Sequence, residues 1–199
     1  MSTTVHDTTC RSCSAPADLG STKCRYCGQP VLISTFNSVH NMPMPMVNQY
    51  AASYREALAN EPDAKDLNGT LGMCYLKLKM YDKATAAFDK AIEDNFDKPD
   101  MFFYAAICRL AGRKAFSVPR ADIDKIEEYM NAALMIEPKG IFHFFLAYVK
   151  YDFYSRKFIN TTPGYEEKLS DAKAAGLSPV DVNDLFGILG VDLPSQLTV

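Results

Sequence analysis

The chain has no excess of positive charge, no long apolar run and only three histidines, and each shortage removes a class of function. Lysine and arginine number 21 against 24 aspartates and glutamates, a net charge of -3 with a pI of about 5.6. No overall cationic field draws the chain to nucleic acid or anionic lipid, so a dedicated DNA-coating role is excluded. The longest apolar run, Ile141–Val149, spans nine positions with His143 inside it, against roughly 20 needed to cross a bilayer. The opening MSTTVHDTTC has neither the basic start nor the apolar stretch of a secretory signal, so a cytoplasmic location is expected. With His6, His40 and His143 as the only histidines, there is no H-E-x-x-H helix. Nor is there a glycine-rich phosphate loop, or a serine or cysteine nucleophile with a recognisable base. His143 lies in an aromatic helix and reads as a core or groove-edge residue. The acid pairs Glu127-Glu128 and Glu166-Glu167 diverge by about 100° around a helix axis, so neither forms one site. The expectation is a protein that is not an enzyme.

What is present begins with cysteine. Of six cysteines in 199 residues, four fall within residues 10–27, which in a reducing compartment points to metal ligands rather than disulfides. Cys10-x2-Cys13 and Cys24-x2-Cys27 are separated by ten residues. Each pair can form a tight knuckle whose backbone N–H groups face the thiolates, and two knuckles supply the four sulfurs of a tetrahedral site. Gly28 permits the positive φ that turns the chain beneath the metal. Pro16, Gly20 and Ser21 suit a short hairpin, and Val31-Leu32-Ile33 reads as a closing strand.

In Cys10, Cys13, Ala15, Pro16, Cys24, Tyr26, Cys27 and Gly28 the segment resembles the short bacterial zinc ribbon, C-x2-C-x-A-P followed by C-x-Y-C-G. It departs at Ser14, where that pattern has glycine. The resemblance implies a structural Zn2+ on Cys10, Cys13, Cys24 and Cys27, the alternatives being iron in a similar sulfur cage or no metal at all. Four thiolates leave no open position for water, so the site would brace the fold rather than catalyse. His6 is then a tail residue. Within the module Arg11, Lys23 and Arg25 face Asp7 and Asp18, a net of +1 and a poor phosphate clamp.

The expected domains are a ribbon at 1–34, a linker at 35–47 and a helical repeat domain at 48–199. Residues 34–47 carry two prolines and two asparagines without any charge and should run extended, with Met42, Met44 and Met46 either a docking strip or packed on the chain's own helices. Beyond them apolar residues recur at spacings of three and four. Leu71-Gly72-x2-Tyr75, Ala84-x3-Phe88 and Ala91 resemble the tetratricopeptide signature, with Asn68 at the usual tryptophan position and Phe96 in place of the closing proline. Gly72 to Ala106 and Ala57 to Ala91 are each 34 residues, one repeat; Ala106 to Tyr148 and Ala91 to Ala133 are each 42. Both offsets place an eight-residue insertion near Arg113–Asp122. The reading is a mainly α fold: a small zinc ribbon of β knuckles, then a tetratricopeptide-like α-solenoid. A lone helix at 48–60 precedes pairs at 65–95, 99–137 and, more loosely, 141–175, and a capping helix starts at Ser178-Pro179.

The resemblance implies binding of another protein or peptide. The first helix of each pair would line an apolar groove with Gly69, Met73, Phe103, Ile107, Phe145 and Val149, unless these side chains pack against the chain itself. The basic and asparagine positions of family members that hold chaperone tails are not supplied. Arg109, Arg113, Lys114 and Arg120 could meet an anionic partner such as RNA, or form a solvated face, and Phe116 and Val118 suggest that the insertion folds back. Cys74 and Cys108, 34 apart, read as buried small residues rather than a redox pair. The combined architecture resembles that of bacterial cytoplasmic proteins. The function expected is an adaptor or scaffold; the alternative is a nucleic-acid-associated factor using the ribbon and the loop 109–120.

Overall fold

The structure, a computed structural model, describes residues 8–10, 12–17, 21–33, 35–93, 95 and 97–198. His6, Asp7, Arg11, Asp18, Gly20 and Phe96, all read above from the sequence, lie outside the described residues. The chain divides after Asn95 into two compact units.

In the first unit, strands β1 (Thr8–Cys10) and β2 (Val31–Ile33) pair antiparallel, with Cys10 opposite Val31. A bridge between Lys23 and Pro30 extends the module. Helices follow at α1 (Phe36–His40), α2 (Met44–Leu58), α3 (Lys65–Lys77) and α4 (Tyr81–Ile92).

The stretch expected to run extended is therefore helical. Thr35 caps α1 by accepting from the Ser38 N–H, and Phe36, Val39, Met42 and Val47 are buried. Pro43 sits at the N-cap of α2 and Pro45 in its first turn, positions where a missing N–H costs nothing. The prolines start a helix here instead of preventing one. Of the three methionines only Met42 is buried, and Met44 is 47% exposed.

The pair α3 and α4 is joined by a three-residue turn, which makes the helices antiparallel neighbours. A Cβ on Gly72 would stand 2.8 Å from the Phe88 ring, so this glycine is what lets the second helix approach. Ala84, Phe88 and Ala91 are buried beneath it. Asn68, at the position expected to hold tryptophan, is buried too, and its amide donates to the Pro62 and Ala64 carbonyls at 2.9 and 3.1 Å. It closes the turn between α2 and α3 by hydrogen bonds where a larger ring would do so by bulk.

The second unit holds α5 (Pro99–Leu110), α6 (Arg120–Ile136), α7 (Gly140–Val149), α8 (Tyr165–Ala174) and α9 (Pro179–Leu189). Pro99 and Pro179 both open their helices, and Ser178 forms a capping box with Asp181. Pairs α5–α6 and α7–α8 pack together. The insertion contains a 3-10 turn, Ala115–Ser117, with Ala115 and Val118 buried and Phe116 42% exposed. After Val149 the chain continues as a π-helical turn, Lys150–Tyr154, and a 3-10 turn, Ser155–Lys157. The core is aromatic: the Phe103 ring lies 5.0 Å from Phe142 and 5.7 Å from Phe145, and Tyr148 meets Phe186 edge-on at 5.2 Å. The fold class is as expected: mainly α, a small cysteine-bearing β module followed by successive tetratricopeptide-like helix pairs and a last short helix. Among the described residues no helix is long and apolar enough to cross a membrane.

Candidate functional site

The two cysteine knuckles are built alike. The Cys10 N–H donates to the Ala15 carbonyl at 3.0 Å and the Ser14 N–H to the Cys10 carbonyl at 2.9 Å; Cys24 repeats this with Gln29 at 2.7 Å and Gly28 at 2.9 Å. Ser14 and Gly28 occupy equivalent places and both take positive φ, 55° and 73°. The departure at Ser14 is thus a serine held in the left-handed region at a cost of order 1 kcal/mol. The loops bring the four Sγ atoms within 4.8 Å of one another, with Cys10 to Cys27 at 3.2 Å and Cys13 to Cys24 at 3.7 Å. A tetrahedral ion with bonds of about 2.3 Å to sulfur needs sulfur–sulfur edges of about 3.8 Å, inside that range. Cys10 and Cys24 are buried; Cys13 and Cys27 are exposed. The cluster fits a single thiolate-bound metal ion.

Its electrostatics point the same way. The Cys13 N–H holds the Cys10 thiol down to about 6 against the effect of burial, with Cys27 helping. Cys24 is lowered by the Tyr26 and Cys27 N–H groups. Cys27 is pushed up to about 12, because the pull of the Gln29 N–H is outweighed by Cys10 beside it, burial, Cys13 and Cys24. Cys13 is raised likewise: the Ala15 N–H lowers it most, and Cys10, burial and Cys24 together outweigh that pull. Backbone amides favour charge on the buried sulfurs, and crowding resists charge on the exposed pair. A bound cation relieves that repulsion.

The seat of the module was not legible in the cysteine pattern. On one face of α2, the Tyr54 hydroxyl donates to the Val31 carbonyl at 2.6 Å, Tyr50 to Ser21 at 3.2 Å and Ser53 to Thr22 at 3.4 Å. The Lys23 ammonium meets Glu56 at 3.1 Å, and β2 packs on α1 and α3. The cysteine module is bolted to the first helices rather than tethered by a linker. Tyr50 and Tyr54, an i, i+4 pair with rings 5.9 Å apart, were the available signal. Cys74 lies beneath, pushed up to about 12 by burial, which makes it an inert thiol.

The expected groove is a correction. Met73, Phe103, Ile107, Phe145 and Val149 are each 5% exposed or less, buried by the chain itself rather than lining an open face. Aromatic side chains on α5 and α7 interlock instead of leaving an inner face open. The basic loop is partly neutralised: Arg109 lies 3.9 Å from Asp122 and Arg120 2.7 Å from Asp124, while Arg113 donates to the Leu110 carbonyl. Lys114 is exposed.

Beneath the insertion lies a polar cluster that sequence reasoning missed. Asp152, 2% exposed, accepts from the Phe116 N–H at 2.8 Å and pairs with Arg156. Lys150 reaches Glu127 at 3.2 Å, and the Tyr154 hydroxyl donates to the same carboxylate. The π turn presents both Lys150 and Asp152 inward, a register that helical periodicity does not foresee. His143, largely buried, faces Asp171 at 3.7 Å.

Comparison with known proteins adds the following. A family model described as tetratricopeptide repeat matches residues 51–102, from within α2 to the start of α5. No curated protein matches. Among solved structures, a chain titled "MamA MSR-1 C2" is similar at 19% identity, covering 77% of this chain and 78% of that one, with a TM-score of 0.48.

Proposed function

We propose that this chain is a cytoplasmic adaptor or scaffold that holds another protein and performs no chemistry of its own. The observation that carries the reading is the tetratricopeptide match at 51–102, coincident with helices joined through the Gly72–Phe88 contact. Repeats of this kind stack helix pairs to present extended binding surfaces. The metal we assign to Cys10, Cys13, Cys24 and Cys27 is zinc: four thiolates at near-tetrahedral spacing support it, and it would supply folding free energy to a module too small to fold on its own core. In this reading residues 1–34 brace the array and residues 48–199 bind. The test is affinity purification of the tagged full-length chain from its native cell after cross-linking. A protein recovered in stoichiometric amount supports the adaptor; a chain recovered alone, or one that turns over a substrate, contradicts it.

A further inference from the structure

Among the described residues two large apolar side chains, Phe158 and Met135, the latter 89% exposed, lie almost wholly in water. Phe158 is 95% exposed, and its backbone sits in the left-handed region at φ 58°, unfavourable for a bulky residue. Ile159 beside it is 42% exposed. The left-handed turn closes the preceding helical segment, the Phe158 N–H donating to the Ser155 carbonyl and the Ile159 N–H to the Tyr154 carbonyl, each at 3.0 Å. A cavity of about 310 Å³ opens here, lined by both residues and by Lys150, Ser155, Tyr165 and Glu166.

Cations surround the knob. Arg156 and Lys157 precede it, with charge centres 4.7 and 5.0 Å from the Phe116 ring centroid, which joins the insertion to this loop. Arg113 and Lys114 are exposed on the same insertion. Of the nearby acids, Asp152 is buried under Arg156 and Asp124 pairs with Arg120, while Glu166 lines the cavity itself. No ion pair reaches Arg113, Lys114 or Lys157 among the described residues.

We infer that the insertion and the loop after the π turn form the docking surface for an acidic protein segment carrying an aliphatic side chain. Its carboxylates meet Arg113, Lys114 and Lys157, and its apolar residue packs on Phe158 and Ile159 at the mouth of the cavity. Charge complementarity selects the occupant, and exposed aromatics ringed by cations are the usual anchors of interfaces. A nucleic acid fits less well: the chain as a whole is at -3, so no overall cationic field favours a phosphate backbone. The inference deepens the adaptor reading and rests on it for the partner being a protein.

The test is fluorescence anisotropy on the full-length chain with three labelled probes: a glutamate-rich peptide with a central leucine, its lysine counterpart, and a single-stranded oligothymidine. Only the first should bind, more weakly as salt rises. Arg113→Glu with Lys114→Glu, and separately Phe158→Ser, should each weaken it about tenfold or more with unchanged helical circular dichroism, since these side chains are exposed. Equal binding by wild type and both variants, or preference for the oligothymidine, overturns the inference. If the cross-linked native partner is recovered equally by both variants, the surface is wrong and the adaptor stands; if neither partner nor peptide binds wild type, both readings fall.

Discussion

The ribbon and the aromatic helices of the second unit are held together by different physics. Around Cys10 and Cys24 the buried apolar set is little more than Val31 with partly buried Ala15 and Ala17. Phe142, Phe144, Phe145 and Tyr148, by contrast, are each 1% exposed or less and interlock with Phe103 and Phe186. A module with so little apolar area cannot offset its own conformational entropy. In the reading proposed above it depends on a metal inside, and it is held from outside by hydroxyls donated from α2. The helices depend on neither, because each buried ring contributes about 2 kcal/mol or more by leaving water.

The largest effect that separates the two regions is metal removal. A strong chelator should take away on the order of 10 kcal/mol from the ribbon, so amides between Cys10 and Ile33 lose hydrogen-exchange protection while those of α5 to α9 keep theirs. Uniform loss would break the contrast. Next, Asp152→Ala removes the acceptor of the part-buried Phe116 N–H and should lower stability by about 1 kcal/mol or more, read as a urea midpoint, without altering metal content. Tyr54→Phe removes the hydroxyl from the Val31 carbonyl; a loss of about 1 kcal/mol and faster exchange in β2 are expected, with the second unit untouched.

The smallest effect is a pH dependence confined to the helices. Burial holds His143 below its ordinary 6.5, Asp171 opposing and Lys168 assisting. The unfolded chain binds this proton more readily, so the contribution to stability is complete above 6.5 and declines as the pH falls below it. The urea midpoint should drop on acidification below 6.5 in wild type and drop less in His143→Gln. An identical decline in the variant would remove His143 from the account.

Much of this was readable in the sequence because it is periodic or stoichiometric. Cysteine spacing gave the knuckles, the 34-residue offset placed α3 to α6, and Ser178-Pro179 marked the start of α9. What escaped lies where a local pattern is overruled by packing. Two prolines and no charge suggested an extended linker, yet Phe36, Val39 and Met42 find a surface to bury against and the prolines take helix-opening positions. Apolar residues on α5 and α7 read equally as groove or core, and only the neighbouring rings decide. The π turn at 150–154 shifts Asp152 and Lys150 inward, out of the register a 3.6-residue period assigns. Phe158 is invisible to any pattern, since its exposure follows from one left-handed residue after two successive changes of helix type.

The central claim is that four cysteines hold one ion and that this ion holds the ribbon on α2. It is tested most directly by titrating thiols while metal release is followed in the folded full-length chain. One zinc ion leaving together with the reaction of Cys10, Cys13, Cys24 and Cys27, while buried Cys74 and Cys108 stay unreactive, is the result predicted. A ribbon that keeps its exchange protection with no metal bound, or thiols that react without releasing any, would contradict it.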